Sequence, residues 1–189
     1  MTDILEAPPV EFDTALAALY GDLADAVTKQ QWAWSAVKSQ ARQNLNKSYR
    51  DKMTRDEVEA AVATARETFA AGDPGYEDAG WRTYYAASRL VEADDKEKAA
   101  AAVVDQVSDR IHEFKQAFHA RGGWTRAYLV TNTGGHVHKS MDCSTCYYNR
   151  YDKYGDFKPG TSYAWLPELS DHDEAEIITA AGSDACTVC

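Results

Sequence analysis

From Asp13 onward the apolar residues of the chain recur at alternating steps of three and four: Leu16, Tyr20, Leu23, Val27, then Trp34, Val37 and Ala41, with Gln30 in the slot between. This rhythm predicts a long helix packed lengthwise along another helix, with Gln30 fixing the register. The helix is expected to fray over the polar stretch Asn44-Leu45-Asn46-Lys47-Ser48. A second helix opens on Thr54, which with Glu57 makes a capping box. Its Val58, Val62, Ala65 and Phe69 share one face, and Gly72-Asp73-Pro74-Gly75 stops it. A third begins near Glu77 or Asp78, with Trp81, Tyr84, Tyr85, Ser88 and Val91 inward. Ala101, Val104, Val107 or Ser108, Ile111, Phe114 and Phe118 continue the rhythm. Asp94-Asp95 either breaks that helix or is a solvated turn of a longer one. Gly122-Gly123 caps it after Arg121.

Past the glycine pair the period changes. Trp124 to Val130 is aromatic and β-branched and predicts a strand. Asn132-Thr133-Gly134-Gly135 is a turn, and His136 to Met141 is the returning strand of a hairpin. A tyrosine-heavy loop follows from Tyr147 to Gly160, then a short strand at Tyr163–Leu166. Ser170 is the expected N-cap of a last helix over Asp171–Ala181, ended by Gly182. The expected fold is therefore α+β, mainly α: a long antiparallel helical hairpin or small bundle over residues 1–121, followed over 122–189 by a zinc-ribbon-like β-hairpin module with one helix. No repeat with a period of about 20 to 50 residues is present, which excludes a solenoid.

The chemistry is concentrated in the last third. All four cysteines fall in two Cys-x-x-Cys pairs, Cys143/Cys146 and Cys186/Cys189. Such pairs aim two sulfurs each at one point and suit a closed, tetrahedral Zn2+ site, with Zn–S bonds of about 2.3 Å. The separation of the pairs exceeds the roughly 15 to 20 residues usual in such sites. His136 and His138, two apart on a strand, share one face, and either can replace a cysteine or support the ligands from outside. The same two imidazoles are what a zinc-dependent hydrolase or nuclease would need. His112 and His119 belong to a solvated helix face. No phosphate-binding glycine loop, no Gly-x-Ser-x-Gly elbow and no His-Glu-x-x-His helix occurs, and no set of catalytic residues stands out.

Charge narrows the partners. Among 189 residues, 20 are basic and 30 acidic, a net charge of −10, which argues against indiscriminate binding to nucleic acid or anionic membrane. Nor is there an unbroken apolar run of about 18 residues to span a bilayer. The opening residues lack the basic start and apolar core of a secretory signal, so a reducing cytosol is expected, where thiols hold metal. Two segments run against the acidic average. Lys38, Arg42, Lys47, Arg50, Lys52 and Arg55 face only Asp51 in their stretch. The late loop mixes Tyr148, Tyr151 and Tyr154 with Arg150 and Lys153. Rings interleaved with cations stack on unpaired bases, dominate protein interfaces, or simply cover a small core.

The ordered string Gly123-Trp124-Thr125-Arg126, Leu129-Val130-Thr131-Asn132, Gly135-His136-Val137-His138, Cys143-Ser144-Thr145-Cys146, Ala164-Trp165-Leu166-Pro167 and Ala185-Cys186-Thr187-Val188-Cys189 resembles the C-terminal region of small proteins common in actinobacterial phages, plasmids and integrated elements. The resemblance covers the last third, and here the loop between Tyr148 and Tyr163 is longer than in such relatives. It implies a mobile-element accessory protein with a metal-bound tail, acting in a bacterial host cytosol. The function expected is that of a non-enzymatic adaptor binding host protein machinery, with the long helices as a second surface or a homodimer seam. The alternatives are a DNA- or RNA-binding regulator using residues 38–55 and the tyrosine loop, and a zinc hydrolase using His136 and His138.

Overall fold

The computed structural model describes residues 4–76, 80–130, 136–138, 150–151, 157–158 and 163–186. It is mainly helical with a small antiparallel sheet. The long helices are α1 (Pro9–Asn44), α2 (Arg55–Ala70) and α3 (Trp81–Ala120), and a short α4 (Glu174–Ala181) comes near the end. Strands β1 (Tyr128–Val130), β2 (Val137–His138) and β5 (Tyr163–Trp165) form a sheet in the order β2-β1-β5. The chain divides into two compact units, residues 1–20 with 110–189, and residues 21–109, so α1 and α3 contribute to both.

In the unit of residues 21–109, α1 and α3 run antiparallel. The Asn44 amide donates to the Ala86 carbonyl at 3.3 Å, and Gln30 donates to Glu97 at 3.4 Å. Gln30 thus takes up the register contact its place in the seam predicts. The capping box opens α2: Thr54 Oγ1 accepts from the Glu57 amide, and Glu57 accepts from the Thr54 amide. The core joins Val37 and Ala41 of α1, Val58, Ala61, Val62 and Ala65 of α2, and Ala87, Leu90 and Val91 of α3. All but Leu90 are alanine or valine, small side chains that let three helix backbones approach closely.

The expected inner faces of α2 and α3 hold only in part. The inward face of α3 is set by Ala87, Leu90 and Val91, while Tyr85 is 51 % exposed. Phe69 is also exposed and stacks on Tyr84, with ring centroids 5.6 Å apart. Broad rings would hold α2 and α3 apart, so the small residues take the contact. Of the two readings of Asp94-Asp95, the turn of a longer helix is the one found. Both carboxylates pair with Arg66, and Asp94 also pairs with Lys98 at 2.9 Å, so α3 continues unbroken.

In the other unit the core is aromatic. Phe12 of α1 meets Phe114 of α3 and Trp124 with ring centroids 4.8 and 5.0 Å apart, and Phe118 meets Trp124 at 4.7 Å. Full burial of Phe12 and of Phe114 stabilises by about 1.5–3 kcal/mol each. The turn that brings Trp124 back over α3 is made by Gly122 and Gly123, both at positive φ; the Gly123 amide donates to the Phe118 carbonyl at 2.9 Å. A Cβ on Gly123 would lie 3.1 Å from the Phe118 ring at a left-handed φ, so any other residue is strained there.

The antiparallel pairing of β1 with β2 sets Tyr128 opposite His138 and Leu129 opposite Val137. On its other side β1 pairs with β5, Tyr128 opposite Trp165. Ser170 does not cap the last helix. Asp173 does, in a capping box with Glu176, because the 3₁₀ turn Pro167–Leu169 and a left-handed Asp171 delay the helix start. Inside the expected tyrosine loop, β3 (Arg150–Tyr151) and β4 (Phe157–Lys158) form a separate antiparallel pair.

Candidate functional site

Val137 connects the expected ligand segments. On one side its strand is zipped to β1, with the Val130 amide donating to the His136 carbonyl at 2.8 Å. On the other side it forms a parallel bridge to Ala185, and the Cys186 amide donates to the Val137 carbonyl at 2.9 Å. The first cysteine of the second pair is thereby fastened to the backbone between His136 and His138. Their rings lie 6.5 Å apart, centroid to centroid. His136 is exposed and His138 buried. Burial, and then the neighbouring His136, push the pKa of His138 below its ordinary value.

Cys143, Cys146 and Cys189 lie outside the described residues, as do Tyr148, Lys153 and Tyr154. Arg150 and Tyr151 form β3. Among the described residues no group of three histidine, cysteine or acidic side chains gathers as a metal site. The thiolate chemistry of the two pairs fits Zn2+, and of the four only the half-buried Cys186 is described.

The same unit holds a polar cluster that the sequence did not single out. Asp13, fully buried on α1, accepts from Trp124 Nε1 at 2.7 Å, Arg126 Nη2 at 2.6 Å, Arg126 Nε at 3.1 Å and Ser170 Oγ at 2.6 Å. Four donors on one carboxylate satisfy it without water, which is what makes a buried charge tolerable. Arg126 is held in turn by rings: its guanidinium carbon lies 3.6 Å from the Phe118 centroid and 4.6 Å from that of Trp165. The Arg121 guanidinium covers Trp124 at 4.7 Å and donates to the Leu5 carbonyl at 3.1 Å. This constellation anchors the sheet to α1. The four donor groups that reach Asp13 are spent on it, which suits a structural role.

The basic stretch is partly neutralised. Lys47 pairs with Glu57 at 2.6 Å, and Arg55 with Glu59 at 2.7 Å. Arg42 donates to the Asp51 carbonyl at 3.3 Å. Lys38, Arg50 and Lys52 have no carboxylate partner among the described residues. His112 and His119 are exposed on α3, as their spacing predicts. Among the described residues no helix is long and apolar enough to cross a membrane. The chain matches no known protein family, no characterised protein and no solved structure.

Proposed function

We propose that the chain is a non-enzymatic, zinc-binding accessory protein of a phage or other mobile element, working as an adaptor whose metal-stiffened C-terminal region docks on host protein machinery. The observation that carries this reading is the 2.9 Å hydrogen bond from the Cys186 amide to the Val137 carbonyl. It ties the backbone of one cysteine of the last pair to the strand that leads into the first. Cys143, Cys146, Cys186 and Cys189 would hold the ion, with His136 or His138 as substitute or supporting group. Bound there, zinc supplies a cross-link between two distant chain segments. The Asp13 cluster fixes the sheet on α1, and the metal-bound region is the part a partner would meet.

The test is metal analysis of the protein purified from its bacterial host under reducing conditions. One zinc per chain is expected in the wild type. Both Cys143→Ser and Cys186→Ser should lose it, along with protease resistance of residues 122–189, while far-UV circular dichroism keeps the helical signal. A metal-free wild type, or full zinc retention in both variants, overturns the reading. Affinity capture on wild-type protein, with Cys186→Ser as control, then asks whether host proteins leave together with the metal.

A further inference from the structure

The turn between α1 and α2 carries a surface that the metal reading leaves unused. Arg42 reaches the Asp51 carbonyl, Met53 packs on the core that includes Val37 and Ala41, and the Arg55 guanidinium lies 5.7 Å from the Trp34 ring centroid. Residues 50–55 therefore return alongside α1 in the opposite direction, Asp51 beside Arg42 and Arg55 beside Trp34. Lys38 and Arg42, both half-exposed, lie one turn apart on the helix, and Arg50 and Lys52, both exposed, lie on the returning segment.

The apex is built to hold one side chain outward. Asn46 is left-handed, and the Lys47 amide donates to the Arg42 carbonyl at 2.9 Å. The Ser48 amide donates to Asp51 Oδ2 at 2.7 Å, the Asp51 amide to the Ser48 carbonyl at 3.0 Å, and the Arg50 amide to Ser48 Oγ at 3.3 Å. The Asp51 carboxylate is thus occupied by the backbone and does not pair with Arg50 or Lys52. Between these bonds stands Tyr49, 90 % exposed. A ring that free on a turn that well fixed has no role in packing.

We infer that this turn binds single-stranded nucleic acid, with phosphates against Lys38, Arg42, Arg50 and Lys52 and an unpaired base stacked on Tyr49. Its physical basis is charge complementarity. In a chain of net charge −10, this is a cationic face whose positive groups are not spent on carboxylates. A flat ring beside them favours an unstacked base over an acidic peptide, which needs only the charge. Duplex DNA offers no base face to Tyr49.

Fluorescence anisotropy with labelled 20-nucleotide oligothymidylate and oligouridylate tests it directly, on full-length protein. Binding is expected to weaken about 20- to 50-fold between 50 and 200 mM salt, as three or four phosphate contacts require at a slope of about 0.7 each. Tyr49→Ala should cost about tenfold, in line with stacking worth 1–3 kcal/mol. Arg50→Glu with Lys52→Glu should abolish binding, while both variants keep wild-type circular dichroism and zinc content. Those controls separate failure here from failure of the metal reading. The inference is overturned by a wild type that ignores both strands at 50 mM salt, or by affinity indifferent to Tyr49 and to charge reversal. A poly-glutamate or duplex probe binding as tightly as the single strands overturns it as well.

Discussion

In the unit made of residues 1–20 and 110–189, the least exposed positions include a carboxylate, Asp13, among Phe12, Leu16 and Phe114; in residues 21–109 they are Val37, Ala41, Val58, Ala87 and Leu90. One region is closed around a charge with four donors, the other around small apolar surfaces, its buried Asp94 lying outside that apolar cluster. The difference shows what each must achieve. A helix trio is specified by repetition, since any alanine-lined face fits another approximately. A sheet of two- and three-residue strands cannot specify its own seat on a helix. A buried carboxylate does so, because only one arrangement satisfies all its hydrogen bonds.

The comparison breaks most visibly at Asp13. Asp13→Ala should cost about 3–5 kcal/mol by leaving the Arg126 guanidinium uncompensated under its aromatic cover. Urea unfolding followed by tryptophan fluorescence reads this through Trp124 and Trp165. A loss under about 1 kcal/mol would mean the cluster is ornamental. Leu90→Ala probes the apolar side: about 3 kcal/mol is expected for a fully buried leucine. Hydrogen exchange should show that loss first in residues 21–109, and equal loosening around β1 and β5 would contradict the division.

The mildest test uses acid. Burial raises the pKa of Asp94, but hydrogen bonds from Lys98 and Arg66 and their charges outweigh it, and the net shift is below the ordinary value of 3.8. A depressed folded-state pKa means that the stabilisation is present above the unfolded value and lost as pH falls through the folded one. The urea midpoint of the wild type should therefore fall more steeply below about pH 4 than that of Asp94→Asn. Parallel curves for the two proteins would remove Asp94 as an acid-sensitive tie.

Much of the helical architecture was legible because its causes are local. A seam of threes and fours, the Thr54–Glu57 box and the Gly122-Gly123 stop each act within a few residues. The inner face of α3 was misjudged by favouring the rings of Tyr84 and Tyr85 over Ala87 and Leu90, a choice that only the closeness of α2 decides. Asp13 had a faint signature: it stands in line with Leu16 and Tyr20, where a carboxylate is out of character. Its partners, Trp124, Arg126 and Ser170, are spread across the other end of the chain, and no local rule links them. For the same reason Ser170 looked like a helix cap, since serine before an acidic stretch is the usual sign of one. The thiol pairs were plain from spacing alone, whereas the bridge from Cys186 to the His-Val-His strand is a long-range pairing.

Asp13 and Ser170 are 157 positions apart. During synthesis, the first helix leaves the ribosome long before the hydroxyl that completes its environment has been made. Until then one of the four hydrogen bonds on the Asp13 carboxylate is unmade, and the step that makes it must bridge that whole separation. Folding of this region consequently carries a high loop-closure cost, met only once the segment that supplies Ser170 is in place.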